Sequence, residues 1–209
     1  MDLIEDLGWR HACKEMNGKK VPREKIDRIL EAINLAPTSL GLQAYKVLVI
    51  ENKDLKEQIY KEACQQQPIT GCSHLLVFAA FTQLTDKYLD EYFSLIERKR
   101  NPGKEWCDKY RKRIEFFRDK NGDNMENWLA RQTYIALGIA CVIAANERVD
   151  SVPIEGFDKE ILNKILNFPE QHLSATFILP LGYKDLELDW MNNQPKVRKD
   201  LKDLIEVIE

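Results

Sequence analysis

The sequence predicts an α+β fold of three layers, in which a small sheet packs among buried helices. Three runs of strand length, at residues 45–50, 74–81 and 173–183, are rich in β-branched or other apolar side chains. Longer segments with the apolar spacing of helices separate these runs and account for more of the chain. Strands that alternate with a larger share of helix are typical of layered α+β domains.

Size and composition predict one globular domain that covers residues 1–209. Hydrophobic residues make up 44% of the chain and charged residues 31%, which is enough to bury one sizeable core. The net charge of -3 gives no general reason to expect nucleic acid as a partner. The basic run at residues 97–104 is typical of a solvated helix end rather than a nucleic-acid patch.

Helices are predicted wherever apolar residues recur three or four positions apart. Residues 22–35 follow this spacing, and Pro22 suits the first helical turn. Pro68 ends the helix that begins at residue 53, because proline disfavours helical backbone in the residue before it. The further helices are predicted at residues 1–7, 53–64, 157–166 and 201–208.

A long charged helical region precedes the helix that we expect at the centre of the core. Residues 84–118 are helical in pattern, with a break at residues 101–103 and a turn at residues 121–124. The central helix begins near Met125, and apolar side chains fill every face of residues 134–145, which predicts burial all round. That run is well short of the ~20 residues that cross a membrane. The small residues in it, which let another backbone approach closely, are Ala136, Gly138, Ala140, Ala144 and Ala145.

Cysteine usage predicts free thiols in a reducing compartment. The five cysteines are odd in number and irregular in spacing, without a C-x-x-C pair or a zinc-like pattern, so no metal site is expected. The acidic N-terminus lacks the apolar stretch of a signal peptide, and we expect a cytoplasmic protein. Cys141 is predicted to be core, whereas Cys13, between charged neighbours, is either inert or reactive.

Three short motifs carry candidate polar binding residues. Arg10 and Lys14 are four positions apart, which fits either an anion clamp or two solvated charges on a helix face. Residues 36–43 form a loop rich in hydroxyl groups and small side chains. Lys196 and Arg198 lie in a polar tail, where they are either a further pair of anion-binding cations or solvated charges.

A fourth motif is the turn that follows the central helix. Pro153 lacks a backbone donor and Gly156 can take positive φ, so residues 152–157 are predicted to form a rigid turn that exposes its backbone. A turn of this kind is suited to holding a flat ligand.

In their order and spacing, the four motifs resemble the FMN-dependent nitroreductase family, and most of all its oxygen-insensitive NAD(P)H nitroreductases and dihydropteridine reductases. The resemblance implies a three-layer nitroreductase-like fold with a small, mostly antiparallel sheet around buried helices. It also implies an interlocked homodimer with two FMN sites at its interface. The motifs are Arg10-His-Ala-Cys-Lys14, Ala36-Pro-Thr-Ser-Leu-Gly-Leu-Gln43, Pro153-Ile-Glu-Gly-Phe157 and Lys196-Val-Arg198.

The resemblance implies which residues bind FMN. Four cations would hold the phosphate, and arginine suits bidentate contacts with its oxygens. Gln65 would place its amide at the pyrimidine edge of the flavin, with the register open by one position. The full implied set is Arg10, His11, Ala12, Lys14, Pro37, Thr38, Ser39, Gln65, Glu155, Gly156, Lys196 and Arg198.

Within this set, the resemblance implies a backbone contact with the flavin ring and a contact with the second subunit's FMN. Glu155 and Gly156 would turn a backbone N–H toward flavin N5, which tunes hydride acceptance. Residues 37–39 would reach the FMN of the second subunit. The chain has Gly41 where the family often has asparagine, so one side-chain contact is expected to be missing.

The activity that the resemblance implies is that of a ping-pong oxidoreductase. NADH or NADPH would pass a hydride to flavin N5 and leave, and a nitroaromatic, quinone or pterin would then accept two electrons. No catalytic side chain is assigned, since solvent can deliver the proton. The sequence has no G-x-G-x-x-G after a strand, so a Rossmann nicotinamide site is not expected.

Residues 84–124 are implied to form a helical substrate cover within the single domain. A different flavin chemistry on the same fold, such as reductive dehalogenation or enoate reduction, is an alternative. Outside that class, the alternatives are a non-catalytic flavin-binding protein and a helical interaction protein. The aromatic residues that either line a flat pocket or form helix core are Tyr88, Tyr92, Phe93, Phe116 and Phe117.

Overall fold

The computed structural model describes residues 2–209, and its helices surround one sheet. The three predicted strands are confirmed, and two of them begin and end where the sequence pattern does. The strands are β1 (Tyr45–Ile50), β2 (His74–Phe81), β3 (Asp150–Ser151) and β4 (Leu173–Gly182). The helices are α1 (Leu3–Trp9), α2 (Arg23–Leu35), α3 (Lys53–Glu62), α4 (Pro68–Gly71), α5 (Asp86–Arg100), α6 (Lys104–Asn121), α7 (Met125–Asn146), α8 (Lys159–Ile165) and α9 (Leu201–Leu204).

The strand pairs of the sheet are antiparallel, in the spatial order β1-β2-β4-β3. Tyr45 lies opposite Ala80, and a bulge between Phe78 and Ala79 shifts the register of β2 against β4. The prediction of a small, mostly antiparallel sheet is therefore confirmed. The strand β3 was not predicted, because two residues show no alternation that a sequence pattern can detect.

Helices cover both faces of the sheet, which gives the three predicted layers. On one face, Phe78 and Phe177 have ring centroids 4.4 Å apart and pack in the cluster that contains α2 and α7. On the other face, Leu75 and Val77 share a core cluster with residues of α3, α4 and α8. Since side chains alternate between the faces of a strand, β2 is buried on both.

The helix ends follow their local chemistry. The side chains of Asn52, Thr85 and Asp158 accept hydrogen bonds from N–H groups in the first turns of α3, α5 and α8. Asn101 ends α5 in the left-handed conformation, with φ of 45°, and Pro102 follows. The predicted break at residues 101–103 is thus confirmed, and it separates α5 from α6.

Helix α7 is buried on one side only. Ala136, Ala140 and Ala144 are fully buried with α2 and the sheet, whereas Tyr134 and Ile135 are 40% and 41% exposed. The prediction of burial on every face is wrong for the single chain, because α2 and the sheet reach only one side of the helix.

The helical stretch Lys104–Asn146, which includes α6 and α7, is long and apolar enough to cross a membrane by length and composition alone. In the folded chain, 44% of its most apolar window is buried inside the protein. Helix α7 packs against α2, β2 and α1 there, as the core helix of a folded domain does.

Candidate functional site

Residues 10–16 form an extended segment between the sheet and the C-terminal part of the chain. Ala12 forms a parallel bridge with Ser151 of β3, and Met16 forms an antiparallel bridge with Lys184. The turn at residues 153–157 begins two residues after Ser151. The topology therefore joins the first predicted motif to the turn along one edge of the sheet.

The buried carboxylate of Asp189 fixes this segment. It lies 2.7 Å from His11 Nε2 and accepts hydrogen bonds from the backbone N–H groups of Lys14 (3.0 Å) and Met191 (3.3 Å). Burial alone would raise the pKa of Asp189, but these hydrogen bonds outweigh it and lower the pKa, so the carboxylate is charged at neutral pH. The side chain of His11 is engaged here, and its cofactor contact stays a prediction.

Three of the four predicted cations come together next to this segment. Lys196 Nζ donates to the carbonyl oxygen of Arg10. Burial, together with the charges of Arg10 and Arg198, lowers the pKa of Lys196. Among residues 2–209, no carboxylate forms an ion pair with any of the three. A cluster of three cations without a paired carboxylate is electrostatically suited to an anion.

Arg10 gives this cluster its most specific feature. Its Nε atom is buried and has no hydrogen-bond partner in the described part of the chain, and Nη2 makes only a 3.3 Å contact with the carbonyl oxygen of His11. A buried donor without an acceptor is costly, and natural proteins rarely leave one unsatisfied. An anionic oxygen from a ligand would satisfy it, and the forked guanidinium suits a phosphate.

The turn after β3 has a conformation different from the predicted one. Phe157 N–H donates to the carbonyl oxygen of Glu155 at 3.0 Å, and Ile154 bridges Ile178 of β4. Gly156 is absent from the positive-φ glycines of the described residues, so the prediction of positive φ there is wrong. A three-residue turn with this hydrogen bond forms readily at negative φ, and an added Cβ at Gly156 would meet only Gln66 Nε2, at 3.7 Å.

The backbone of the turn is available to a ligand, as predicted. Within residues 2–209, no acceptor pairs with the N–H groups of Glu155 or Gly156, and both residues are exposed. The Glu155 carboxylate accepts a 3.0 Å hydrogen bond from the hydroxyl of Tyr134 on α7. Burial and the neighbouring Glu155 raise the pKa of Tyr134, which keeps it a donor. Sequence reasoning missed Tyr134, although it is the one polar-tipped residue in the apolar run.

The glutamines after α3 lie beside this turn. Gln66 Nε2 donates to the carbonyl oxygen of Gly156 at 3.3 Å, and Gln65 and Gly156 line the same shallow cavity. Both amide atoms of Gln67 bind the backbone of Met16, at 2.8 and 3.0 Å. The predicted amide is therefore next to the turn, and Gln67 is occupied elsewhere.

The loop with Pro37, Thr38 and Ser39 is not brought to the cation cluster. Ser39 N–H donates to Gln132 Oε1 of α7 at 2.8 Å, and Thr38 Oγ1 accepts from Gln43 N–H at 3.0 Å. In the described residues, no hydrogen bond connects this loop with residues 10–14, 155–156 or 196–198. Within residues 2–209, the predicted site residues thus form two groups that share no hydrogen bond.

The aromatic side chains of α5 and α6 have several roles. The hydroxyls of Tyr92 and Tyr110 both donate to the carbonyl oxygen of Leu40, each at 2.9 Å, and Tyr88 donates to that of Leu42 at 2.7 Å. Burial raises the pKa values of Tyr88 and Tyr92 to about 12, so they remain donors. These tyrosines hold the loop that continues from Ser39.

The predicted phenylalanines of this region do not act together. Phe93 is buried in the core cluster of α5 and α6. Phe117 packs against Trp128 with ring centroids 4.8 Å apart and the ring planes tilted by 56°, and Phe116 is 71% exposed. The sequence left two alternatives for these side chains, a pocket lining or helix core, and Phe93 and Phe117 belong to the core.

The cysteines are free thiols, as predicted, and burial favours the inert alternative for Cys13. All five side chains are unpaired, and Cys13 is fully buried. Burial first, and then the charges of Asp189 and Asp150, raise the pKa of the Cys13 thiol far above its ordinary value. A thiol that does not ionise is a poor nucleophile.

The fold is a layered α+β architecture, and its N-terminal segment and C-terminal tail together carry a cluster of three cations that suits an anionic ligand. The sequence profile of the Nitroreductase family matches residues 7–183. The chain belongs to this family, which confirms the resemblance found in its motifs.

Individual relatives match over nearly the whole chain. The major NAD(P)H-flavin oxidoreductase of Aliivibrio fischeri is 30% identical over 99% of this chain and 98% of its own length. The oxygen-insensitive NAD(P)H nitroreductase of Salmonella typhimurium is 26% identical over 97% of both chains. A structure from Exiguobacterium sibiricum in complex with FMN superposes with a TM-score of 0.83 at 18% identity, over 100% of this chain and 98% of that one.

Proposed function

We propose that this protein is an FMN-dependent NAD(P)H oxidoreductase of the nitroreductase type, and that it acts as a cytoplasmic homodimer. The observation that supports this function most strongly is the buried Arg10 Nε, which has no acceptor among residues 2–209 and lies beside Lys196 and Arg198. A phosphate is the ligand that this donor set suits.

The residues fit FMN as follows. Arg10, Lys196 and Arg198 would hold the phosphate, with Lys14 from the same segment. The free N–H groups of the turn would donate to the ring, and Gln65 or Gln66 would bind its polar edge. When bound, FMN supplies a ring that accepts a hydride from a nicotinamide and passes two electrons on. The protein orients this ring, and no side chain here is assigned as acid or base.

The relatives support the choice of substrates. The Aliivibrio fischeri and Salmonella typhimurium proteins are named for NAD(P)H as donor, and the second also for nitro compounds as acceptors. For a nitroaromatic, the balanced net reaction is ArNO₂ + NAD(P)H + H⁺ → ArNO + NAD(P)⁺ + H₂O. Quinones and pterins are the other acceptors we propose. The α5–α6 segment, within residues 84–124, would cover the bound acceptor in the single domain of residues 1–209.

Exposed apolar surface supports the homodimer. One face of α7 presents Ile135 and the small residue Gly138 to solvent. The C-terminal part of the chain carries exposed apolar side chains as well, with Trp190 at 64%, Val197 at 88% and Ile208 at 90%. Surfaces of this kind are typical of protein interfaces, and we expect one larger than the ~2,000 Å² upper edge of the standard class.

A second subunit also explains the divided site. Residues 37–39 make no hydrogen bond with the cation cluster of their own chain, within residues 2–209. In the dimer, this loop would complete the FMN site of the partner. The five free thiols support a reducing compartment, and hence the cytoplasm.

Steady-state kinetics with a panel of acceptors test the proposed function. NADPH and NADH are varied against a nitroaromatic, a quinone and a pterin, and against a halogenated aromatic and an α,β-unsaturated acid for the alternative chemistries. Parallel lines in double-reciprocal plots are expected, because the oxidised nucleotide leaves before the acceptor binds. Turnover only with a halogenated aromatic or an α,β-unsaturated acid would instead indicate dehalogenation or enoate reduction. The absence of turnover from a flavin-loaded protein would indicate a flavin-binding protein without catalysis.

The turn at residues 153–157 is expected to act through its backbone N–H groups and not through the Glu155 side chain. Glu155→Gln is expected to keep most of the turnover, because an amide oxygen still accepts from Tyr134 and the backbone N–H is unchanged. Gly156→Ala is expected to keep flavin content, since its Cβ would make an ordinary contact, whereas Gly156→Pro removes the proposed donor. Single-turnover flavin reduction by NADH, measured per bound flavin, checks all three. Loss of hydride transfer in Glu155→Gln with flavin retained would mean that the carboxylate itself participates.

A further inference from the structure

A second cavity, of about 470 Å³, lies between α5, the start of α6 and the loop that follows Ser39. Tyr92, Trp106 and Tyr110 supply its aromatic lining. The rings of Trp106 and Tyr110 are 5.0 Å apart, and Trp106 is 41% exposed. Its volume and aromatic lining are those of small-molecule sites in proteins, which measure roughly 300–1,000 Å³.

The charges that line this cavity have one sign. Lys99 and Arg100, at the end of α5, belong to its lining, and no carboxylate does. Neither cation has an ion-pair partner among the described residues of the chain. The charge of Arg100 acts on the hydroxyl of Tyr92, where it opposes the effect of burial on the pKa. Two free cations beside aromatic rings suit a ligand that is aromatic at one end and anionic at the other.

Gly41 keeps this cavity open. Its φ of +66° is the left-handed conformation, and an added Cβ would lie 3.1 Å from the hydroxyl oxygen of Tyr92. That hydroxyl holds the carbonyl oxygen of Leu40. Because Leu40 and Gly41 follow Ser39 directly, the cavity adjoins the loop that we place at the partner's FMN. The missing side chain at residue 41 therefore makes room for a ligand there.

We propose that this cavity selects electron acceptors that carry a carboxylate on an aromatic ring. The ring would lie against Trp106 and Tyr110, and the carboxylate would meet Lys99 and Arg100. This inference deepens the proposed function and depends on it for turnover. Its binding component can be measured without turnover.

Binding to the flavin-loaded protein is tested with two redox-inert probes, benzoate and benzyl alcohol. They share the ring and differ in charge. Calorimetry is expected to give at least about tenfold tighter binding of benzoate, and this preference is expected to vanish in the double variant Lys99→Gln/Arg100→Gln. The matched control is Arg98→Gln/Lys104→Gln, which removes the same charge from neighbouring positions outside the cavity. An equal preference in the wild type and the cavity variant would overturn the inference.

Turnover is tested with 4-nitrobenzoate and 4-nitrobenzyl alcohol. The kcat/KM ratio of the two acceptors is expected to fall about tenfold in the cavity variant and to stay unchanged in the control variant. A fall of the same size in both variants would mean long-range attraction and would overturn the inference. A rise confined to the KM for NADPH would assign the two cations to the nucleotide and overturn it as well. If the wild type reduces neither acceptor, nor a quinone or a pterin, but binds benzoate selectively, the proposed function fails and the cavity assignment stands.

Gly41→Asn tests the steric part of the inference. Asparagine tolerates left-handed backbone, so the loop is expected to keep its conformation. Its side chain would enter the cavity beside Tyr92 and weaken benzoate binding several-fold, with flavin content unchanged. Unchanged benzoate affinity would show that the space at residue 41 has no role in binding.

Discussion

Arg10→Ala is expected to yield a folded protein that has lost its FMN. The Nε atom of Arg10 is a buried donor of the cation cluster that has no acceptor in the described part of the chain, and a phosphate would be its partner. A charge-assisted hydrogen bond contributes about 1.5–3 kcal/mol, and a forked contact has two. The dissociation constant for FMN is therefore expected to rise by at least about 100-fold, measured by flavin fluorescence on titration of the apoprotein.

Two further variants sharpen this test. Arg10→Lys keeps the charge without the fork and is expected to bind FMN with intermediate affinity. Lys199→Ala removes a cation of the same tail that is not among the charges acting on Lys196, and it is expected to bind FMN like the wild type. Circular dichroism melts confirm that the variants fold. Unchanged FMN affinity in a folded Arg10→Ala protein would contradict the assignment of the phosphate site.

Gly138→Arg is expected to convert the dimer into a monomer that retains little flavin. Apart from the backbone of its own helix, an added Cβ at Gly138 would meet no atom of residues 2–209 within 4 Å, so the fold of the monomer is expected to stay intact. In the proposed interface, the same side chain would bring an unpaired charge against an apolar surface, which is strongly unfavourable. Analytical ultracentrifugation at micromolar concentration measures the change, and the flavin content of each species is read from its absorbance.

Val49→Arg is the control for this experiment. Val49 is 39% exposed on β1, and arginine there is expected to leave both the dimer and the flavin unchanged. A wild-type protein that sediments as a monomer with full flavin content would disprove the shared site. A Gly138→Arg protein that remains dimeric would show that this face of α7 is not part of the dimer interface.

Much of the fold could be predicted because the pattern of apolar residues in the sequence indicates which positions are buried. Strand β2 is apolar at nearly every position, and it is buried on both faces. The small residues of α7 predicted close packing, and Ala136, Ala140 and Ala144 show it. The four-residue helix α4 was not predicted, because Pro68 marks the end of one helix and the start of another equally well. Only Leu201–Leu204 of the predicted helix at residues 201–208 is formed, and its apolar side chains stay exposed, so burial does not stabilise a longer helix.

The site could be predicted in part. The four motifs named Arg10, Lys196 and Arg198, and the fold brings these together from opposite ends of the chain. The contacts of Asp189 with His11 and Lys14 could not be predicted, because residues 178 and 175 positions apart meet only in the folded chain. The backbone of Gly156 was predicted wrongly, since glycine permits positive φ without requiring it.

Anaerobic titration of the purified protein with NADPH and NADH tests the central claim most directly. The protein is expected to be yellow, with one FMN per chain, and either nucleotide is expected to bleach the flavin absorbance with a stoichiometry of one per flavin. Addition of a nitroaromatic or a quinone should then restore the colour. A protein that binds no FMN on reconstitution, or one whose bound FMN is not bleached by either nucleotide, would contradict the account.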